Sequence, residues 1–388
     1  MIPYSKQDIS AVDALRVAIQ TRFRSLTQGS RISLFETSIA EYVGSRYAVL
    51  VSSGTAGLHL SMLALELEKN SEVITSPMSF VATSNAIIYA GYKPKFCDIN
   101  SKTLNLDAQA VESEISKNSR ALVSVHFAGL PDEPSFLNKM KDTYRLRILE
   151  DAAHSLGANY STGYKVGSCK YSDITVFSLH PVKSMTTGEG GIITTNDSNL
   201  YRKLLRLRSH GVNKLDDLFV FDLNAKTNKI LNPWYYEMIN LGFNYRMTEI
   251  QAELGNSQIQ RLDKFIQKRR ELAFNYRMLL SSCEVIEPAQ SVDTAHSAHH
   301  IFPLRIKFDK VKSSRNELMA KMRNFGYMTQ VHYLPIPMHP YYQSLGYDIN
   351  SLPRALDYYA SALSIPLFPK LKKRNQKKII EKLKFSLK

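Results

Sequence analysis

The stretch Phe177-Ser178-Leu179-His180-Pro181-Val182-Lys183-Ser184-Met185-Thr186-Thr187-Gly188-Glu189-Gly190-Gly191 decides the fold. Before it, Asp173-Ile174-Thr175-Val176-Phe177 is β-branched and aromatic enough to predict a strand; after it, Ile192-Ile193-Thr194-Thr195 predicts a second. Lys183 therefore falls on a short turn between two buried strands, ahead of a glycine-rich bend where backbone can approach a ligand closely. An amine placed there suits carbonyl chemistry. A free lysine, with a pKa of about 10.4, stays an ammonium, so such a residue must be desolvated or consumed as an imine. Taken alone it is better read as a buried lysine paired to Glu189 or as a solvated loop residue, so a reactive role needs partners elsewhere in the chain.

Outward from that turn the chain alternates short apolar strands with helical stretches. Strands are predicted at Tyr47–Val51, Val73–Thr75, Ala121–Val125 and Arg147–Glu150. Helices are predicted at Ala56–Leu67 and Phe80–Tyr89, with a charged helix between the last two strands. Repeated βα units imply a mostly parallel sheet covered on both faces, with ligands bound at the carboxyl ends of its strands. Regularity fails after Gly211, and Asp216–Trp234 reads as a surface insertion. A long amphipathic helix is then predicted from about Thr248 to Ser281, joining the large domain to a smaller one. That smaller domain carries predicted strands at Ile301–Ile306 and Thr329–Tyr333.

At 388 residues two domains are expected, an N-terminal segment with a large domain over 1–250 and a linking helix with a small domain over 251–388. Charged content of 22% and hydrophobic content of 44% are those of a soluble globular chain, and no apolar run predicts a membrane span or a signal peptide. Cys97, Cys169 and Cys283 are widely spaced and match no metal or redox motif, so reduced thiols in the cytoplasm are expected and no metal is assigned. Of the net charge of +15, a surplus of eight lies between Lys370 and Lys388, where nine Lys or Arg face one Glu. Ile379, Ile380, Leu383 and Leu387 recur there at helical spacing, which predicts a terminal helix with its lysines in solvent. A nucleic-acid or acidic-membrane contact is the rival reading; without interleaved aromatics for base stacking, the solvated face is preferred and neither partner is expected.

Three further features bear on the lysine. Ser52-Ser53-Gly54-Thr55-Ala56 closes one strand and opens a helix, where free N–H groups and small residues make an anion site. Asp151, in Glu150-Asp151-Ala152-Ala153-His154-Ser155, ends another strand and could keep a pyridine nitrogen protonated; as readily, it is a helix cap. His154 and Phe80 could flank a ring or be ordinary core residues. Each signal is weak singly. In this order they give an anchor, an electron-sink partner and an imine-forming amine, the set pyridoxal phosphate requires.

With those residues in view, the chain resembles the DegT-type nucleotide-sugar aminotransferases, fold type I pyridoxal-phosphate enzymes, over essentially its full length. The likeness rests on the lysine segment, Leu26-Thr27-Gln28-Gly29, Arg208-Ser209-His210-Gly211, Leu241-Gly242-Phe243-Asn244-Tyr245-Arg246-Met247-Thr248-Glu249 and Gln330-Val331-His332-Tyr333. Ile2-Pro3-Tyr4 and Pro233-Trp234-Tyr235-Tyr236-Glu237-Met238 resemble the branch that acts in pseudaminic acid biosynthesis. Ser5-Lys6 replaces an expected Gly-Arg, and Asn256 an apolar residue.

The resemblance implies an aspartate-aminotransferase-like α/β fold with a mostly parallel seven-stranded sheet and a smaller α+β C-terminal domain. It implies that Lys183 forms the imine with pyridoxal 5'-phosphate, that Asp151 pairs with the ring nitrogen, and that Gly54, Thr55 and Ser178 hold the phosphate. Phe80 and His154 would complete the cofactor site, with Asn244 supplied by the second subunit of a homodimer. Tyr4, Ser25, Leu26, Thr27, His180, Gln330, Val331, His332 and Tyr333, together with Gly54 and Asn244, would contact a UDP-linked 4-keto-6-deoxy-N-acetylhexose, with L-glutamate as amino donor. Arg246 and Arg208 are candidates for holding the donor carboxylate. Alternatives are an aminotransferase for another 4-keto sugar, of perosamine or 4-amino-arabinose type, and a regulatory or nucleic-acid-binding protein on an enzyme-derived fold. A dehydratase of the same fold would carry histidine in place of Lys183.

Overall fold

The computed structural model describes residues 1–213 and 219–387, without the side chains of 222 and 223. Seven strands form the central sheet: β1 (Tyr47–Val51), β2 (Glu72–Thr75), β3 (Lys93–Phe96), β4 (Ser119–Val125), β5 (Arg147–Asp151), β6 (Ile174–Ser178) and β7 (Gly191–Thr195). Their spatial order is β1-β7-β6-β5-β4-β2-β3, as in the mainly parallel sheet expected; β7 alone runs antiparallel, to both its neighbours. The sheet is buried on both faces because its strands alternate between two cores. Leu50, Ile74, Leu122, Ile148 and Phe177 face one, and Val49, Val73, Val123, Leu149 and Val176 the other.

Two helices precede β1 that hydrophobic spacing does not reveal, α1 (Ala11–Phe23) and α2 (Ser30–Val43). Ser10 and Asp13 form a capping box at the start of α1. The start of α2 has no side-chain cap of its own. It is closed instead by Glu249, whose carboxylate accepts from the backbone N–H groups of Gly29, Arg31 and Ile32 at 2.8 to 3.3 Å. A Cβ on Gly29 would lie 2.8 Å from that carboxylate, so two distant segments of the family likeness meet there at a position with no room for a side chain.

Along the sheet follow α3 (Gly54–Ala64), α4 (Ala82–Tyr89), α5 (Ala108–Glu114), α6 (Pro134–Asp142) and α7 (Ser198–Arg208). The expected insertion begins in residues 216–218, outside those described. Its described part holds a single turn, α8 (Asp222–Ala225), and two-residue ladders: β8 (Val212–Asn213) with β11 (Glu237–Met238), and β9 (Lys226–Thr227) with β10 (Ile230–Leu231). The predicted long helix is real but broken. α9 (Glu249–Gln258), capped by Thr248, passes through a 3-10 turn into α10 (Leu262–Leu280).

A second, three-stranded antiparallel sheet follows, ordered β12 (Ile286–Pro288), β13 (Phe302–Ile306), β14 (Ala362–Ile365). It packs with α10, α11 (Arg315–Asn324) and α14 (Lys373–Ser386) around Leu272, Leu304, Leu363 and Ile379; α12 (Pro340–Ser344) and α13 (Pro353–Ser361) lie between. α14 buries Ile379, Ile380 and Leu383 and leaves Lys373, Lys377 and Lys378 exposed, as its spacing predicts. Thr329–Tyr333 is not a strand. Gln330 makes one isolated bridge to Ser364, and the His332 carbonyl is taken by the Tyr358 hydroxyl at 3.0 Å, which ends the ladder. The first residues return to this region: Ile2 pairs with Tyr327, and Leu367 N–H donates to the Tyr4 carbonyl at 2.9 Å.

Candidate active site

The carboxyl ends of β1, β4, β5 and β6 open into a cavity of about 590 Å³, closed from the other side by Tyr4 and by Gln330–Tyr333. Lys183, Asp151, His154, Gly54, Thr55, Ser178, Phe80 and His180 all line it, so residues spread from Gly54 to Lys183 are brought together by the order of the strands.

At the floor, Ser53 caps α3 by accepting from Ala56 N–H at 3.1 Å, which leaves the first amides of the helix, Gly54 and Thr55, facing the cavity without an intrahelical acceptor. Close backbone packing makes this cradle. A Cβ on Gly191 would lie 2.3 Å from the Ser53 carbonyl oxygen and 2.9 Å from Gly54 N, and one on Gly54 would lie 3.0 Å from the Ser178 Cβ. An anion seated there meets helix amides and the Ser178 hydroxyl.

Asp151 ends β5, buried, with its Oδ2 accepting from the Thr83 hydroxyl at 2.6 Å and its Oδ1 from Ala153 N–H at 3.2 Å. Ser79 bonds Thr83 at 2.6 Å, so α4 and the loop before it aim the carboxylate. Glu150 turns to the opposite face of the sheet, where it accepts from the hydroxyls of Tyr160, Ser172 and Thr175 at 2.5 to 2.7 Å. Alternation along one strand thus separates a site carboxylate from a structural one.

Lys183 is anchored by its own turn, its N–H donating to the His180 carbonyl at 2.9 Å. Burial pulls its amine down to about 8, with Asp151 opposing that pull. His154 donates to or accepts from the Tyr333 hydroxyl at 3.1 Å, and burial followed by the Lys183 charge holds its pKa well below the ordinary histidine value. His332 is pushed down to about 3, by burial first and Lys183 second; its Nδ1 pairs with the Ser364 hydroxyl at 2.9 Å. Tyr4 stands 5.6 Å from the His332 ring, centroid to centroid. Phe80 sits at the rim, 61% exposed.

Four of the residues implied by resemblance lie elsewhere. Ser25, Leu26 and Thr27 are exposed just beyond α1, and exposed Asn244 pairs with Ser209. Gln28, Ser209 and Arg246, beside them in the chain or paired with them, line another cavity, of about 840 Å³, with Arg202, Arg206 and His210. Of the two arginine candidates, Arg208 is committed to Glu36 and the Leu50 carbonyl at 2.6 and 2.8 Å; Arg246 lines the second cavity. Sequence reasoning did not find Thr83, Ser79 or His300. Thr83 falls four residues after Ser79 at the start of α4, which is a readable signal only once Asp151 is known to face it. His300 lines the cavity with its ring 4.3 Å from that of His154, and nothing in its local sequence distinguishes it from His296 or His299.

These groups fit pyridoxal phosphate: amides and a hydroxyl for the phosphate, a fixed carboxylate for the ring nitrogen, and an amine whose pKa burial lowers to about 8. Comparison with known proteins agrees. The profile of the DegT/DnrJ/EryC1/StrS aminotransferase family matches residues 8–384. The chain is 34% identical to the UDP-4-amino-4,6-dideoxy-N-acetyl-beta-L-altrosamine transaminase of Campylobacter jejuni serotype O:23/36, over 99% of each chain. It is also 34% identical to the spore coat polysaccharide biosynthesis protein SpsC of Bacillus subtilis, over 98% of this chain and 95% of that one. Helicobacter pylori PseC, an aminotransferase involved in the biosynthesis of pseudoaminic acid, superposes with a TM-score of 0.89 at 30% identity, covering 100% and 99% of the two chains. A sugar aminotransferase of Streptococcus pneumoniae in its PMP form also superposes at 0.89, with 26% identity over 100% and 99%. Site geometry, profile and relatives together make this chain a member of the DegT/DnrJ/EryC1/StrS aminotransferase family, a pyridoxal-phosphate-dependent sugar aminotransferase of fold type I.

Proposed function

We propose that the enzyme transfers the amino group of L-glutamate to the C4 ketone of a UDP-linked 4-keto-6-deoxy-N-acetylhexose, in a route to pseudaminic acid. The observation that carries the reaction type is that Lys183, the α3 cradle and Asp151 line one cavity. Support for the sugar comes from the C. jejuni transaminase and from H. pylori PseC.

Pyridoxal phosphate, when bound, supplies a carbonyl to carry the amino group and an electron sink for the carbanion beside it. Gly54 and Thr55 amides with the Ser178 hydroxyl would hold its phosphate, and Asp151, aimed by Thr83 and Ala153, its ring nitrogen. His154 and Phe80 would border its ring. Lys183 would hold the cofactor through Nζ and, once displaced, would serve as base: Nζ would accept the proton from the donor α-carbon and, in the second half of the reaction, would deliver one to C4 of the sugar. Burial suits it to this, since an amine near 8 is unprotonated far more often at neutral pH than a solvated one. The same wall must receive donor and sugar in turn, so ping-pong kinetics follow. Tyr4 and Gln330–Tyr333 are placed to contact the sugar, and His180 lies beside the lysine turn.

Asn244 and Ser25–Thr27 belong to this proposal through a second subunit, as exposed residues on segments of family likeness that the single chain leaves outside its own cavity. Exposed Trp234, Tyr236 and Leu241 on the neighbouring segment support burial against a second copy.

Lys183→Ala tests the assignment: folded protein with no turnover and no visible absorption from a lysine–cofactor link is expected, and retained activity would refute it. The chain is also 32% identical to a UDP-4-amino-4-deoxy-L-arabinose–oxoglutarate aminotransferase of Shewanella sediminis, over 94% and 91% of the two chains. A panel of 4-keto nucleotide sugars offered with glutamate separates the two substrates by the product formed.

A further inference from the structure

Arg269, on α10, is one of the largest fully buried side chains of the protein. Its guanidinium forms no ion pair with any carboxylate among the described residues, and burial lowers its pKa to about 10. Every bond it makes is to a backbone carbonyl: Nη1 donates to His300, Leu367 and His299 at 3.0, 3.2 and 3.3 Å, and Nη2 to Lys183 at 3.5 Å. A cation buried with no counter-charge is costly, and a methionine of similar length would fill the same space without that cost. The arrangement therefore calls for a role beyond packing.

Its acceptors suggest one. Lys183 is held through the two peptide planes that flank its Cα. The Val182 carbonyl accepts from the Ser5 hydroxyl at 3.0 Å, and the Lys183 carbonyl from Arg269. Because peptide groups are planar, fixing both sets the direction in which the lysine side chain leaves the backbone. The same guanidinium grips the carbonyl of His300, whose ring lines the cavity and whose buried Nδ1 has no hydrogen-bond partner. Only a planar fork with several donors reaches three separate segments at once; an ammonium does not.

We propose that Arg269 is a positioning residue for catalysis, fixing the Lys183 turn and the His300 wall of the cavity to α10. The role rests on the reading of Lys183 as the reacting amine. The neighbouring Arg270 provides an internal control. It too bonds only backbone carbonyls, those of Ser297 and His296 at 2.9 and 3.0 Å, but it does not reach Lys183.

The test compares Arg269→Lys with Arg270→Lys in the holoenzyme and in protein stripped of cofactor. For Arg269→Lys, kcat should fall about 10-fold to 100-fold with KM for the nucleotide sugar within about threefold. Amide exchange in the stripped protein should rise about 10-fold over residues 180–187 and 298–300, with the central sheet unchanged. Arg270→Lys should alter neither kcat nor exchange in 180–187. If Arg269→Lys leaves exchange in 180–187 at its original rate, or if both variants lose activity and exchange protection alike, the positioning role is wrong. Because exchange is read without cofactor, it stands apart from Lys183→Ala, whose retained activity would overturn the reading of the lysine itself.

Discussion

Gly191→Ala puts the most specific demand on the cofactor cradle. Its added Cβ would fall 2.3 Å from the Ser53 carbonyl oxygen, 2.6 Å from the Ser53 carbonyl carbon and 2.9 Å from Gly54 N. All three are backbone atoms, so no side chain can swing away. Restoring ordinary van der Waals contact requires β7 and the β1–α3 junction to separate by about 1 Å, an overpacking that typically costs about 1–3 kcal/mol. That displacement carries the first amides of α3 off the position they hold beside Ser178. The part of the strain relieved only when the phosphate is absent appears as lost affinity, about 10-fold to 100-fold for 1.4 to 2.8 kcal/mol. Equilibrium titration of stripped protein with pyridoxal phosphate, followed by absorbance, measures it alongside thermal melting. Gly188→Ala is the comparison: Gly188 has φ +82° but no atom within 4 Å of a new Cβ, so it should lose stability with cofactor affinity intact. Wild-type affinity in folded Gly191→Ala would refute the placement of the phosphate at this cradle.

Other expectations follow from the same geometry. Stripped protein should capture a small aldehyde at Lys183 with a pH midpoint near 8. Near pH 7 the neutral fraction is then about 200-fold that of a free lysine. A rate that kept rising to pH 10 would contradict this. Because this folded pKa lies below the unfolded value, the unfolded chain binds the extra proton between about 8 and 10.5, so this lysine makes stability rise with pH across that window and contributes no slope below it. Thr83→Val removes the 2.6 Å bond to Asp151 and should lower kcat by about 10-fold at unchanged fold, since one bond to a charged group is worth about 1.5–3 kcal/mol; an unaltered kcat would show that Asp151 needs no such support. Mixing the inactive variants Lys183→Ala and Asn244→Ala, then allowing subunits to exchange, should restore about one quarter of wild-type activity if each site takes Asn244 from the other chain of a twofold dimer; no recovery would place Asn244 elsewhere. Glu249→Gln should destabilise the protein by about 1–2 kcal/mol in chemical denaturation, because the amides opening α2 lose their charged acceptor.

Much of the sheet could be read directly because its strands are apolar runs ended by turns. β1, β4, β5, β6 and β7 fall within two residues of where the pattern places them. β3 escaped because Lys93-Pro94-Lys95-Phe96 has neither alternation nor a continuous apolar run; it is an edge strand, where lysine and proline are tolerated. α2 escaped for another reason: it takes its cap from a residue more than 200 positions away, which no local window contains. At the site, Lys183, Asp151 and the α3 start announce themselves through chemistry that few other roles require. Thr83, His300 and Arg269 do not, since their neighbours are set by the order of strands and by the return of α10 beneath the lysine turn. Thr329–Tyr333 was misjudged because β-branched and aromatic content states what fits a sheet, whereas a tyrosine hydroxyl from α13 claimed the carbonyl a ladder would use.

Tyr4 closes the cavity with its carbonyl held by the Leu367 N–H, from far along the chain. During synthesis, then, the cradle, the carboxylate and the lysine can all emerge from the ribosome and assemble while the Tyr4 wall still lacks one of its anchors. A nascent chain halted before residue 367 would carry the amine and yet lack that anchor of its wall, so full desolvation of the lysine waits until residue 367 has been made and folded back.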